Sequence, residues 1–133
     1  MKLGKLIIAI LGVGVVANVF DFVVHGMILK GPVYSHATIM RTDMPMHWLI
    51  IGDFVAAAVF VIVYDRVYQS FGGGLKGGAT FGLYAGVLVN FPTWAFSHLL
   101  ISGFSRELTL AWTIVGILWG VVAGAVAGAL YKR

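Results

Sequence analysis

"LIIAILGVGVVANVFDFVVHGMIL", residues 6–29, is an apolar run that carries Asn18, Asp21 and His25 in its second half. A bilayer's hydrocarbon core, about 30 Å thick, takes about 20 helical residues to cross, so the run is long enough to span. An ionised side chain at the bilayer centre costs about 2.5–3.5 kcal/mol on insertion scales. At 100° per residue, Gly14, Asn18, Asp21 and His25 share one helix face. The stretch therefore reads as a spanning helix whose polar face turns inward.

The rest of the chain has the same character. Of 133 residues, 60% are hydrophobic and 11% charged, against about 25% charged in soluble domains. A soluble core could not hide this much apolar surface. The expected fold class is an all-α membrane protein, a single domain over residues 1–133. It is expected to form a four-transmembrane-helix antiparallel bundle with spans at about 6–29, 48–68, 79–101 and 108–130. An outer loop at 30–47, a Gly-rich turn at 69–78 and a short link at 102–107 join them. Helices are expected because lipid-exposed backbone must satisfy its own hydrogen bonds, and no alternating strand pattern occurs. Met1 to Lys5 and the apolar residues after it have two parts of a secretory leader but no small-x-small cleavage site. An uncleaved first span is the expectation.

The formal net charge is +4, but the charges stand singly near segment ends. With no basic stripe and no RNA-binding motif, nucleic acid is not an expected partner and the lipid bilayer is. Placing both termini in the cytoplasm puts Lys2, Lys5, Arg66, Lys76, Lys132 and Arg133 there, and leaves Lys30, Arg41 and Arg106 outside. That bias fits a cytoplasmic membrane crossed with both termini inside.

Two glycine ladders follow. Gly74, Gly78, Gly82 and Gly86 recur every fourth residue, as do Gly116, Gly120, Gly124 and Gly128. In lipid, such notches let helix backbones approach and gain dispersion contacts. The ladders pack spans three and four together, or pack neighbouring copies.

The unusual polar residues gather toward the outer side. Asp53 shares a face of span two with Ala56, Ala57, Phe60 and Tyr64; Asn90, Thr93 and Ser97 share a face of span three, with His98 beside it. At 1.5 Å per residue, Asp21 lies roughly 6 Å below His25, Asp53 roughly 9 Å below His47, and Asn90 roughly 12 Å below His98. A polar pocket of Asn18, Asp21, His25, Asp53, Asn90, Ser97 and His98, open to the outside, is therefore expected. Cross-helix hydrogen bonding as packing glue is the plainer alternative for Asp21 and Asp53. Pro92 is expected to loosen the helix there.

The outer loop contributes Tyr34, His36, Met40, Arg41, Asp43, Met44 and His47. A short helix over residues 35–41 would set His36 and Met40 one turn apart. Methionine and histidine suit a transition metal such as copper, making His25, His36, His47 and His98 candidate ligands. The alternative is an apolar cap over the bundle. Asp43, ahead of Met44-Pro45, has the chemistry of a helix N-cap. Arg41, Arg106 and Glu107 read as rim charges.

His25-Gly26, Leu29, Tyr34, Arg41, Asp43-Met44, Gly77-Gly78 and Pro92 together form a pattern over nearly the whole chain. In it the sequence resembles an uncharacterised family of small bacterial four-span integral membrane proteins. The resemblance implies the four-span topology, and it implies that His25, Tyr34, Arg41 and Asp43 form one outer-face cluster.

Function narrows to a few classes. The absence of cysteine removes disulfides, thiolate metal sites and thiol nucleophiles. No G-x-S-x-G, H-E-x-x-H or S-x-x-K motif occurs, so catalysis is the least favoured class. The leading expectation is a non-catalytic module, self-associating as a homo-oligomer or docked on a larger membrane complex. One alternative is metal or ion binding or transport through Asp21, His25, Asp53 and His98. Another is a haem or chlorophyll-type cofactor held by His25 and His98.

Overall fold

A computed structural model describes residues 2–133 and shows four long helices. α1 runs Leu3–Val23 and continues through a π-helical turn at Val24–Ile28. After a 3-10 turn at Tyr34–His36 come α2 (Met46–Phe71), α3 (Gly74–Leu100) and α4 (Arg106–Leu130). No strand occurs among the described residues. At 1.5 Å per residue, a 26-residue helix such as α2 is about 39 Å long.

Three of the helices, Leu3–Ile28, Met46–Phe71 and Arg106–Leu130, are long and apolar enough to cross a membrane. Large apolar side chains cover their outer faces, among them Ile8, Leu11, Val15, Val55, Val59, Leu110 and Ile114. α3 is as long but is not among these three, its apolar run diluted by glycines and by Asn90, Thr93, Ser97 and His98.

Two expected boundaries move. Only Gly72 and Gly73 interrupt the helices where a turn over 69–78 is expected. Gly72 ends α2 with φ +77°, a backbone region open to glycine without strain. Gly77 and Gly78 enter α3 because they pack against other backbone: a Cβ on Gly78 would overlap the Gly124 carbonyl oxygen. The second correction concerns the outer loop. Beyond His36 it is irregular, so no helix spans residues 35–41 and His36 and Met40 are not paired on one. Asp43 does not cap α2, whose N-cap is Pro45 with no side-chain bond. It accepts instead from Arg41, at 3.1 Å from Nε and 2.8 Å from Nη2. The guanidinium holds the Asp43 carboxyl below its usual range.

α3 and α4 pack antiparallel along most of their length. Gly78 meets Gly124 and Gly128, Gly82 meets Gly120 and Gly124, and Gly86 meets Ile117. α1 packs on α2 and α4, whereas α2 and α3 touch only sparingly. The core lies in the half of the bundle that holds the chain ends, where Ala9, Val13, Ala57, Val61, Tyr64, Ala127 and Tyr131 are buried. There Phe81 of α3 reaches α2, its ring 4.9 Å from Phe60 and 5.3 Å from Tyr64. Asp65 is buried in the same half; its carboxyl accepts from the Tyr131 hydroxyl and lies 3.7 Å from Arg133 Nε. Lys5 Nζ donates to the Lys132 carbonyl at 3.0 Å, so both chain ends meet at one end of the bundle.

Gly82→Ala should lower stability by about 1–3 kcal/mol, since its Cβ meets backbone that cannot move without parting the helices. Gly52→Ala, which meets nothing, should be neutral or stabilising by up to about 1 kcal/mol. Thermal unfolding in detergent compares the two. Burial and the Asp65 carboxyl push the Tyr131 hydroxyl from 10.0 up to about 12. Tyr131 therefore adds stability that is whole below pH about 10 and lost as pH rises toward about 12. Tyr131→Phe should remove that component of alkaline unfolding.

Candidate functional site

α3 leans on α4 rather than on α2, which leaves space between the helices beyond Phe60 and Phe81. A cavity of about 520 Å³ lies there. α1 supplies Asp21 and His25, and α2 supplies Asp53, Ala56 and Phe60. α3 adds Ala85, Gly86, Val89, Asn90 and Trp94, and α4 adds Trp112, Val115, Gly116, Trp119 and Gly120.

Of the polar residues expected in one pocket, Asp21, His25, Asp53 and Asn90 line this cavity. Asn18, Ser97 and His98 do not. The Asn18 side chain donates to the Gly14 carbonyl at 2.9 Å, and Ser97 donates to Thr93 at 2.7 Å. Each returns to its own helix, as short polar side chains readily do. His98 Nδ1 lies 2.7 Å from the Phe104 carbonyl, a bond that closes the link between α3 and α4.

Asp21 of α1 and Asp53 of α2 line the same cavity, close enough for their carboxyls to interact. His25 Nε2 stands 3.7 Å from Asp21 Oδ1, one turn along. Its other ring nitrogen, Nδ1, bonds the Tyr34 hydroxyl, and Trp112 Nε1 donates to that same hydroxyl at 2.7 Å. Burial pushes the Tyr34 phenol up, partly offset by the Trp112 bond. Tyr34 thus keeps its proton, accepts from Trp112 and donates to His25 Nδ1. This assigns the imidazole hydrogen to Nε2, the nitrogen facing Asp21. Trp112, Tyr34 and His25 thus form a hydrogen-bonded chain, with the Asp21 carboxyl 3.7 Å beyond it.

Local structure explains why these groups meet. His25 sits in the π-helical turn, where Leu29 N bonds Val24 O at 2.8 Å, an i to i+5 step. The wider turn re-aims side chains relative to an α-helix, and here it lets His25 reach both Asp21 and Tyr34. Leu29 is buried and anchors the start of the loop. The helix runs through Pro92 unbroken. Around it, Asn90 Nδ2 donates to the Gly86 carbonyl at 2.9 Å and Asn90 Oδ1 accepts from Trp94 Nε1 at 3.2 Å. Gly116 provides the notch for Asn90, since a Cβ there would overlap its amide.

Aromatic rings close the loop end. Trp94 lies 4.8 Å from Trp112 and stacks on Phe104 at 6.0 Å, and Tyr34 meets Trp112 edge-on at 6.3 Å. At the other end, Phe60 and Trp119 meet at 5.7 Å. The tryptophans, Tyr34's partners and the Asp65–Tyr131 pair escape a reading of the sequence. The aromatic richness of spans three and four is the only signal of them, and it reads equally as an interfacial belt.

The four histidines do not converge. His36 and His47 are exposed, with His47 against Trp48, and His98 lies outside the cavity. Among the described residues no three His, Cys, Asp or Glu side chains gather to hold a metal ion. Met40 and Met44 stay in the irregular loop, and the Arg41–Asp43 pair is exposed beside them.

No protein-family model, no curated protein and no solved structure matches the chain.

Tyr34→Phe should leave Trp112 Nε1 and His25 Nδ1 without their shared partner and cost about 1–3 kcal/mol. The Trp112 emission should shift with it. An unchanged unfolding midpoint and spectrum would show that the chain of contacts contributes nothing.

Proposed function

We propose that the chain is a small bacterial inner-membrane protein whose four helices all cross the bilayer, with both termini in the cytoplasm. It binds a small organic ligand in the outer-half cavity without transforming it. α3 counts as a span because it lies along α4 over most of its length and presents Leu83, Tyr84, Leu88, Phe91 and Leu99 outward. Its polar Asn90 and Trp94 line the cavity instead. The cationic bias toward the end carrying Lys2, Lys5, Arg66, Lys76, Lys132 and Arg133 supports the orientation.

One observation carries the binding reading: the cavity coincides with the Asp21–Asp53 pair and with three of the four tryptophans. Its volume of about 520 Å³ falls within the range of about 300–1,000 Å³ typical of ligand pockets, which are mostly apolar with a few placed polar groups. No nucleophile with a paired base faces it, which favours a binding module over an enzyme. The α3–α4 glycines are consumed within the chain, so the proposal does not need a second copy.

Since the chain has no cysteine, Ser35→Cys and Ser70→Cys report topology directly. An impermeant maleimide applied outside intact cells should label the first and spare the second; the reverse pattern overturns the orientation. For binding, Trp94, Trp112 and Trp119 are native reporters. In nanodiscs, their fluorescence should fall saturably with at least one class in a panel of small cationic, neutral and anionic aromatics. Ala85→Phe, which fills the cavity from α3, should abolish the response. No saturable quenching across the panel overturns the binding reading.

A further inference from the structure

We infer that the cavity is selective for hydrophobic organic monocations, with the Asp21–Asp53 pair as counter-charge and the indole faces of Trp94 and Trp112 as the contact surface. The inference rests on the binding reading above and names its ligand class.

Charge comes first. Two carboxyls line the cavity and neither lysine nor arginine does. Two carboxyls this close repel unless a proton or a cation lies between or beside them. Arg41, the nearest arginine in sequence to α2's outer end, is already held by Asp43 in the exposed loop. The His25 ring that faces Asp21 is fixed through Tyr34 with its Nε2 toward the carboxyl. It orients Asp21 and leaves Asp53 free toward the cavity. An anion would meet like charge, with no lysine or arginine on the wall to hold it.

The size and chemistry of the walls exclude the opposite extreme. A hard inorganic cation asks for six or more oxygens, or for a wet site. The lining offers two carboxyls and one amide, and that amide is already bonded to Gly86 and Trp94. The remaining wall is aromatic or small and aliphatic. A strongly hydrated ion would lose water there without replacement, whereas an organic cation has little hydration to lose. The indole N–H groups of Trp94 and Trp112 are both engaged, by Asn90 and Tyr34. Phe104 stacks on one face of Trp94, and what the two rings leave toward the cavity is their remaining π surface, which attracts cations.

Neutral apolar ligands would fit the walls but gain nothing from the carboxyls. Discrimination should therefore follow charge rather than shape. Tetraphenylphosphonium and tetraphenylborate share size and shape and differ in sign. With detergent-purified protein, tryptophan quenching by each is measured, and the Ala85→Phe protein supplies the baseline for partitioning into micelles. Tetraphenylphosphonium should quench saturably, and tetraphenylborate should match its Ala85→Phe baseline. Asp21→Asn with Asp53→Asn should weaken tetraphenylphosphonium at least tenfold. Where that double variant does not fold, the comparison of the two ions on the unmodified protein decides alone. Equal binding of both ions, or full retention by the folded double variant, overturns the inference. Saturable quenching by neutral 1,4-naphthoquinone but not by tetraphenylphosphonium overturns it too, while leaving the binding cavity standing. Failure of all three probes counts against the cavity itself.

Discussion

The close approach of α3 and α4 governs the rest of the structure. Gly78 and Gly82 of one helix sit against Gly120, Gly124 and Gly128 of the other so tightly that a single methyl would overlap backbone. In lipid no hydrophobic effect draws helices together, so packing of this kind is a principal source of association. A helix committed to one neighbour along its length cannot also follow a second. α3 accordingly meets α2 through Phe81 in one half of the bundle and diverges from it in the other. The cavity is the geometric remainder of that choice. Gly116 continues the ladder, but its notch receives the Asn90 side chain rather than backbone, which marks where packing ends and the cavity begins.

The sequence displays the helices and much of the polar face, because both depend on local periodicity. Asp21 and His25 are one turn apart, and an inward face is the only inexpensive place for them in lipid. Asp53 and Asn90 follow by depth. Features decided by distant contacts are not displayed. Gly77 and Gly78 look like turn residues until Gly124 and Gly128 lie against them. The bond from Trp112 to Tyr34 joins residues 78 positions apart, and no spacing rule reaches that far. Asn18 and Ser97 share faces with pocket residues, yet their short side chains reach backbone of their own helix first. Asp65 is overlooked because an acid beside Arg66 at a helix end reads as an interfacial charge, whereas Tyr131 and Arg133 fold back over it.

The loop residues show why type and position alone do not make a site. His36, Met40, Met44 and His47 have soft or borderline donors in one short stretch, but a metal needs them to converge. With no helix over residues 35–41, His36 ends the 3-10 turn, Met40 and Met44 lie in irregular chain and His47 stands in the first turn of α2. What the loop contributes instead is Tyr34, carried in by the 3-10 turn to a position between α1 and α4. Its hydroxyl is a contact by which the loop orients His25 on the cavity wall.

The bundle places carboxyls at both ends and treats them differently, and the proposed ligand site rests on that asymmetry. Asp65 is all but sealed, with a side-chain exposure of 4%, a tyrosine hydroxyl bonded to it and an arginine 3.7 Å away. Such a group has its partners in the chain and asks for nothing more. Asp21 keeps 32% exposure, and its neighbours are another carboxyl and a histidine already tied to Tyr34. A fold that can supply a tyrosine and an arginine to one acid could have done the same for the other. The Asp21–Asp53 pair sits in an aromatic cavity with no lysine or arginine on its wall, so within the chain only a shared proton and the neighbouring His25 answer its charge. The proposed cationic ligand would supply to this pair the partner that Arg133 supplies to Asp65.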